Sequence, residues 1–288
     1  MLKSTQAFIT YDTDKDIYDI KLSAPLSVCW QITTKCNLNC KYCLSASGKE
    51  GEYGLSTEDA IKVIEKLGNL EINRLDFTGG EPLLRKDLKQ LIEVAKKNNI
   101  NTIVTTNTTL LNDENIECLK AADLVQVSID GPEQIHNKQR QAEVYKKTIA
   151  NIQKLQKSDC KVRLNSFIYN SNKQYVDELM DLSKDMGLFS HLFIIFTPQG
   201  RGKEHYEEII PAQEVEQIKN KILNRKQKEN RNIRLYDYSE YMHSCVLLTP
   251  LCDVISQGFY DEDSIKVGNM LEQPLEELFS NPILLKNK

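Results

Sequence analysis

The sequence predicts an α/β fold on a mostly parallel sheet, and three observations carry that expectation. From Ser27 onward, short β-branched runs alternate with longer amphipathic segments, as in repeated βα units. Polar and sulfur-bearing residues collect where the predicted strands end, and the carboxyl ends of parallel strands are where such folds place their chemistry. The chain has 288 residues, 40% hydrophobic and 27% charged, enough to bury a sizeable core beneath a polar surface.

Six units follow in order. Strands are predicted over Val28 to Thr33, Arg74 to Thr78, Thr102 to Thr106, Leu124 to Ile129, Val162 to Ile168 and Leu192 to Phe196. The first helix spans Thr57 to Leu70, opens on the capping signature Leu55-Ser56-Thr57-Glu58-Asp59 and places Ile61, Ile64 and Leu67 on one face. Leu88, Leu91, Ile92 and Ala95 mark the core face of the second. Val176, Leu179, Met180 and Ser183 do so for a later helix, with Asn172 as its expected cap. Residues 1–25 form an N-terminal extension, 26–234 hold the βα units, and from 235 to 288 the rhythm is lost in a small α+β appendage.

Cys36, Cys40 and Cys43, in C-N-L-N-C-K-Y-C, lie on the loop leaving the first strand. Three thiolates so spaced can hold three irons of one cubane, which ordinarily takes four cysteines, so the fourth iron is left for a substrate or cofactor. A zinc site of three cysteines and a histidine is the competing reading. The four histidines, His136, His191, His205 and His243, all lie far downstream of the triplet.

The C-x3-C-x2-C spacing resembles the radical S-adenosylmethionine (radical SAM) superfamily. The likeness continues through Thr78-Gly79-Gly80-Glu81-Pro82, Ser128-Ile129-Asp130-Gly131-Pro132 and Gly268-Asn269-Met270. Six units fall short of the eight of a closed barrel. The resemblance implies a partial (β/α)6 TIM-like barrel, open along one side for substrate. It also implies a 4Fe-4S cluster on the triplet, S-adenosyl-L-methionine (SAM) on the open iron, and an external reductant such as flavodoxin or ferredoxin. Cluster and cofactor perform the difficult chemistry while the protein orients and confines it.

The resemblance also assigns the cofactor contacts. Tyr42 stands where an aromatic residue lies beside the adenine. Gly79 and Gly80, with Glu81, bring backbone groups to the methionine amino group. Asn107, Ser128 and Asp130 sit at strand ends facing the barrel mouth. Arg140 pairs with the cofactor carboxylate, a task that suits a bidentate, permanently charged group. Asn165 is a further contact, and His136 stabilises a loop.

The segment from Cys245 and Cys252 to Gly268 resembles the cluster-bearing extensions called SPASM and twitch in a degenerate form, with Asp261, Glu262 and Asp263 where relatives carry a cysteine. Two thiolates cannot hold a cube, so one cluster per chain is expected unless His243, an aspartate or a distant thiol completes a set. Cys29, Cys118 and Cys160 read as small buried hydrophobes.

Eight cysteines in this length are too few for a disulfide scaffold and suit a reducing compartment. No signal peptide and no apolar run of spanning length occurs, so a cytoplasmic protein without membrane contact is expected. The net charge of −4 argues against nucleic acid. The basic run Lys219 to Arg234 reads as a solvated helix face, with an acidic-peptide dock as the alternative. SIDGP, the run Pro198-Gln199-Gly200-Arg201-Gly202 and the G-N segment are shared with modifiers of peptides, so a peptide or protein side chain is the expected substrate. The alternatives are a small molecule (sugar, nucleotide or cofactor precursor) and a non-enzymatic iron-sulfur or zinc sensor.

Overall fold

A computed structural model describes residues 27–237, 246–256, 258 and 260–279. The expected N-terminal extension, His243 and Cys245 lie outside the described residues. Among the described residues, strands β1 (Ser27–Gln31), β2 (Arg74–Thr78), β3 (Asn101–Thr106), β4 (Leu124–Ser128), β5 (Val162–Ile168), β6 (Ser190–Ile195) and β7 (Ile233–Tyr236) pair in sequence order, all parallel. On the other side of β1 the sheet continues through β8 (Val246–Leu248), parallel to β1, then β9 (Asp253–Ser256) and β10 (Ile265–Asn269), both antiparallel to their neighbours. The sheet is therefore mixed α/β, mostly parallel, with β7 and β10 at its two ends.

The helices are α1 (Thr57–Asn69), α2 (Leu88–Lys97), α3 (Asp113–Leu119), α4 (Glu133–Arg140), α5 (Tyr145–Lys157), α6 (Val176–Asp185), α7 (Ala212–Glu229) and α8 (Leu275–Phe279). Ser56 caps α1 by accepting the Asp59 N–H at 3.1 Å, as its signature predicts. The buried faces of α2 and α6 are the predicted ones. In α1 they are Ala60, Val63, Ile64 and Leu67, with Ile61 at the margin. These faces and the outward side chains of the strands, Val28, Trp30, Leu75, Phe77, Val125 and Leu164 among them, form one core.

Three local expectations change. Asn172 does not cap α6: its buried side chain donates to the carbonyls of Asp130 (2.7 Å) and Phe167 (2.9 Å) and accepts the Tyr169 N–H, tying the ends of β4 and β5 together. A seventh parallel strand, β7, follows α7 and contains the expected boundary between 234 and 235. The basic run hid it, because only four residues pair and two of them flank Arg234. Cys29 does not face the core but the opposite side of β1, within the cavity described below, whereas Cys118 is buried as expected and Cys160 half-buried.

The basic run is the paired, solvated face of α7. Lys221 meets Asp177 at 2.7 Å and Arg225 meets Asp181 and Glu229, contacts that contribute little to stability at an exposed surface. No helix of the described residues is long and apolar enough to cross a membrane.

Two histidines are fully enclosed. His191 lies between the hydroxyls of Ser166 (2.9 Å) and Ser183 (3.1 Å), and His136 accepts the Asp130 N–H. Burial holds both well below the ordinary value of 6.5, His136 down to about 2, so both are neutral in the folded state. Once the unfolded chain takes up these protons below that ordinary value, stability falls with falling pH, and above it the contribution is complete. In urea unfolding at pH 7.5, 6.5 and 5.5, the wild type should lose up to about 1.4 kcal/mol per pH unit more than His191→Gln in the acid arm, a difference from which other titrating groups cancel. Equal slopes in the two proteins would refute the assignment.

Candidate active site

The cysteine triplet sits on a long loop between β1 and α1 that folds on itself. The N–H groups of Thr34 and Cys36 donate to the carbonyls of Glu52 and Gly48, and Thr33 Oγ1 donates to Glu52 at 2.6 Å. The turn after β2 then packs directly against this loop. Gly80 N–H donates to the Thr33 carbonyl (2.7 Å) and Glu81 N–H to the Lys35 carbonyl (2.8 Å). A Cβ on Gly79, whose φ is +129°, would stand 2.2 Å from Thr33 O, and one on Gly80 would stand 2.0 Å from Lys35 O. Both positions therefore require glycine. The loop's backbone already approaches both glycines, a constraint beyond the expected cofactor contact, and the Gly79 carbonyl accepts from Ser45 Oγ.

Glu81 is also reassigned. It does not line the cavity but is fully buried behind its wall, where its carboxylate accepts from Leu83 N, Thr106 Oγ1 and Asn107 N at 3.1, 2.7 and 2.8 Å. Burial pushes its pKa up to about 7 against the pull of those three donors. Glu81 thereby locks the end of β3 to the loop. Asn107, so held, reaches Asn37 Oδ1 (3.0 Å) and Cys36 Sγ (3.9 Å).

The three sulfurs open onto one cavity of about 220 Å³ at the carboxyl ends of the strands. Its wall takes residues from β1 to β6 and from β8, so the sheet curves around it. Tyr42, Gly79, Gly80, Asn107, Ser128, Asp130, Arg140 and Asn165, the expected cofactor contacts apart from Glu81, all line it with the cysteines. Cys29, Gln31, Gln139 and Arg201 line it too, and nothing in their spacing signalled this. Burial pushes the Cys36 thiol up to about 12 and raises that of Cys40, where the Arg140 guanidinium opposes it from 3.7 Å. Metal binding would deprotonate such thiols. Among the described residues no three ligand-type side chains converge on a single ion. Cys36, Cys40 and Cys43 share one cavity wall, and three such thiols could each serve one iron of a cluster.

Beside Cys40, Asp130, fully buried, binds Arg140 Nη2 at 2.6 Å and accepts the Phe167 N–H at 3.0 Å. Arg140 thus holds Asp130 and Cys40 together, a wider task than the cofactor carboxylate alone. Its Nε is buried without a partner, as is Asn165 Oδ1. Unsatisfied polar atoms beside a cavity are what a polar ligand would be expected to relieve. Tyr42 is boxed edge-on by Tyr169, Phe196 and His205, and its hydroxyl donates to Glu208 at 2.6 Å. Glu208, buried and also bound by Ser171 N and Oγ, had no signal in the sequence, since 166 positions separate it from Tyr42.

Residues 30–186 match the model of the radical SAM superfamily. The chain belongs to that superfamily. It is 28% identical over 291 residues to an AdoMet-dependent heme synthase of Methanosarcina barkeri, covering 90% of this chain and 83% of the relative. It is also 28% identical to the sporulation killing factor maturation protein SkfB of Bacillus subtilis, covering 92% of this chain and 67% of the relative. Among solved structures, Streptococcus suis SuiB bound to precursor peptide SuiA superposes with a TM-score of 0.76 at 15% identity, covering 91% of this chain and 66% of SuiB. The enzyme anSMEcpe with bound AdoMet and a peptide gives 0.71 at 20% identity, covering 91% and 82%. The fold is the partial TIM-like barrel of these enzymes, and β9 and β10 fit an appendage to it. The family's 4Fe-4S cluster and SAM are this enzyme's cofactors, and the loop thiols with the polar residues lining the same cavity fit them.

Two substitutions test the wall. Arg140→Ala would leave Asp130 charged and unpaired in the interior, costing about 3 to 5 kcal/mol by chemical denaturation. Adding Asp130→Asn should recover part of it, and no recovery would dismiss the pair. Tyr42→Phe and Glu208→Ala should each weaken SAM binding several-fold and combine with little further loss, because both remove the same hydrogen bond. Additive losses in equilibrium dialysis would show that the two residues act separately.

Proposed function

We propose that the enzyme modifies a peptide or protein side chain by abstracting a hydrogen atom from it. The observation that carries this reading is the near full-length similarity to SkfB, a maturation protein, joined to the superposition on SuiB with its precursor peptide. Bound and reduced, the cluster supplies one electron that splits SAM into methionine and a 5′-deoxyadenosyl radical, the species that takes the hydrogen. The chain's own residues would do the rest. Cys36, Cys40 and Cys43 would hold three irons, Ser128, Asn165 and Arg140 would orient the methionine end, and Tyr42 would present its ring to the adenine, its hydroxyl being committed to Glu208. An external reductant of the flavodoxin or ferredoxin kind would supply the electron.

A small-molecule substrate is the second reading. It is favoured by the heme synthase relative and by a GTP 3′,8-cyclase of Clostridium botulinum that is 29% identical, covering 76% of this chain and 72% of the cyclase. Anaerobic assays with reductant and SAM separate the two. A short peptide encoded beside the gene should stimulate 5′-deoxyadenosine release and change mass, whereas stimulation by a tetrapyrrole or nucleotide with an unaltered peptide would overturn the peptide reading.

The cofactor assignment has its own test. Alanine at Cys36, Cys40 and Cys43 together should abolish both the cluster and SAM cleavage. About four irons per chain are expected, as one cubane requires. Cys252 is fully buried in the core, its thiol raised to about 12 by burial, so Cys252→Ala should leave iron content intact and lower stability only. Iron near eight per chain that fell in this variant would place Cys252 in a second cluster.

A further inference from the structure

The loop between β6 and α7 carries the run Pro198-Gln199-Gly200-Arg201-Gly202, and it grips the cysteine loop at Cys40, Cys43 and Leu44, residues other than those the Gly79–Gly80 turn packs against. Arg201 N–H donates to the Cys43 carbonyl at 3.0 Å, and Arg201 Nε donates to the Cys40 carbonyl at 2.8 Å. One residue thus fixes the backbone of two of the three thiol-bearing positions. Gly200 makes the approach possible: at φ +56° a Cβ there would stand 2.3 Å from Leu44 O and 2.4 Å from Cys43 O. The clasp is itself anchored, with Gln199 Nε2 donating to the Gly258 carbonyl and Gly200 N–H to the Asp261 carboxylate at 3.1 Å. Arg201 has no carboxylate partner among the described residues, so an ion pair does not account for its position.

We propose that Arg201 is a positioning residue for the thiol triplet: by holding the Cys40 and Cys43 carbonyls it sets the spacing at which their sulfurs meet the cluster. The cation is directional here. A guanidinium Nε presents one N–H along a fixed line, which a flexible ammonium does not. Through Gly258 and Asp261 the same contact makes the cluster loop depend on the segment after β9.

The test uses anaerobically reconstituted protein, with two readouts apart from turnover: the rate of iron release to a chelator and the electron paramagnetic resonance spectrum of the reduced cluster. Arg201→Gln keeps the backbone N–H on the Cys43 carbonyl and loses the guanidinium bond to the Cys40 carbonyl. It should release iron about tenfold faster, the effect of losing one hydrogen bond of ordinary strength, and should shift or broaden the spectrum. Gly200→Ala keeps the charge but pushes the clasp away, and should change both readouts in the same direction. Lys203→Gln, an exposed neighbour in the same turn, should change neither. Wild-type iron retention and spectrum in Arg201→Gln would overturn the proposal. So would a wild-type Gly200→Ala beside an altered Arg201→Gln, since charge and not position would then be acting. An equal drop in the unfolding midpoint of iron-free and loaded Arg201→Gln would assign the residue to general stability and equally overturn it.

Discussion

The site depends on one close backbone contact. The Gly79–Gly80 turn lies against Thr33 to Lys35 so tightly that neither glycine has room for a methyl group. Because of that contact the Gly80 and Glu81 N–H groups can bond the loop's carbonyls, and the Glu81 side chain is turned inward onto Thr106 and Asn107. Asn107 in turn reaches Cys36. The position of the first thiol therefore follows from a chain of contacts that begins with two missing side chains on β2's exit turn.

Charge inside the cavity is managed in pairs. Removing Asp130 and Arg140 from water is costly, and their 2.6 Å contact offsets that cost only with further hydrogen bonds. Asp130 obtains one from the Phe167 N–H, and the neighbouring His136 stays neutral and accepts the Asp130 N–H, so no second positive charge crowds the pair. Arg140 extends toward Cys40, placing positive charge where a ligating thiolate would carry negative charge. The same residue that neutralises Asp130 thus favours an ionised Cys40 sulfur.

The C-terminal strands extend the barrel sheet rather than standing apart from it. β8 adds to β1 in parallel, and Leu247 enters the cavity wall beside Cys29. Cys252, read in the sequence as a candidate ligand because it falls in a cysteine-bearing extension, is packed in the main core. Asp261 accepts from the Gly200 N–H and so joins this segment to the loop between β6 and α7, which in turn holds the cysteine loop.

The sequence by itself determined the alternating elements, the cysteine triplet and its place after the first strand, and the polar ends of the third and fourth strands at Asn107, Ser128 and Asp130. These are legible because hydrophobic period and motif spacing are local properties, and strand ends in a parallel sheet share one edge. Tertiary structure alone decided that Gly79 and Gly80 yield to backbone, that Glu81 faces away from the cavity, and that Asn172 ties two strands together. It also decided the partners Glu208 and Arg201, each more than 150 positions from the residue it holds. Such contacts leave no periodic trace, because which polar group meets a given carbonyl is set by how the loops pack once the sheet has curved. Even β7 belongs to this class: four residues beside a basic helix become a strand because β6 offers them an edge to pair with.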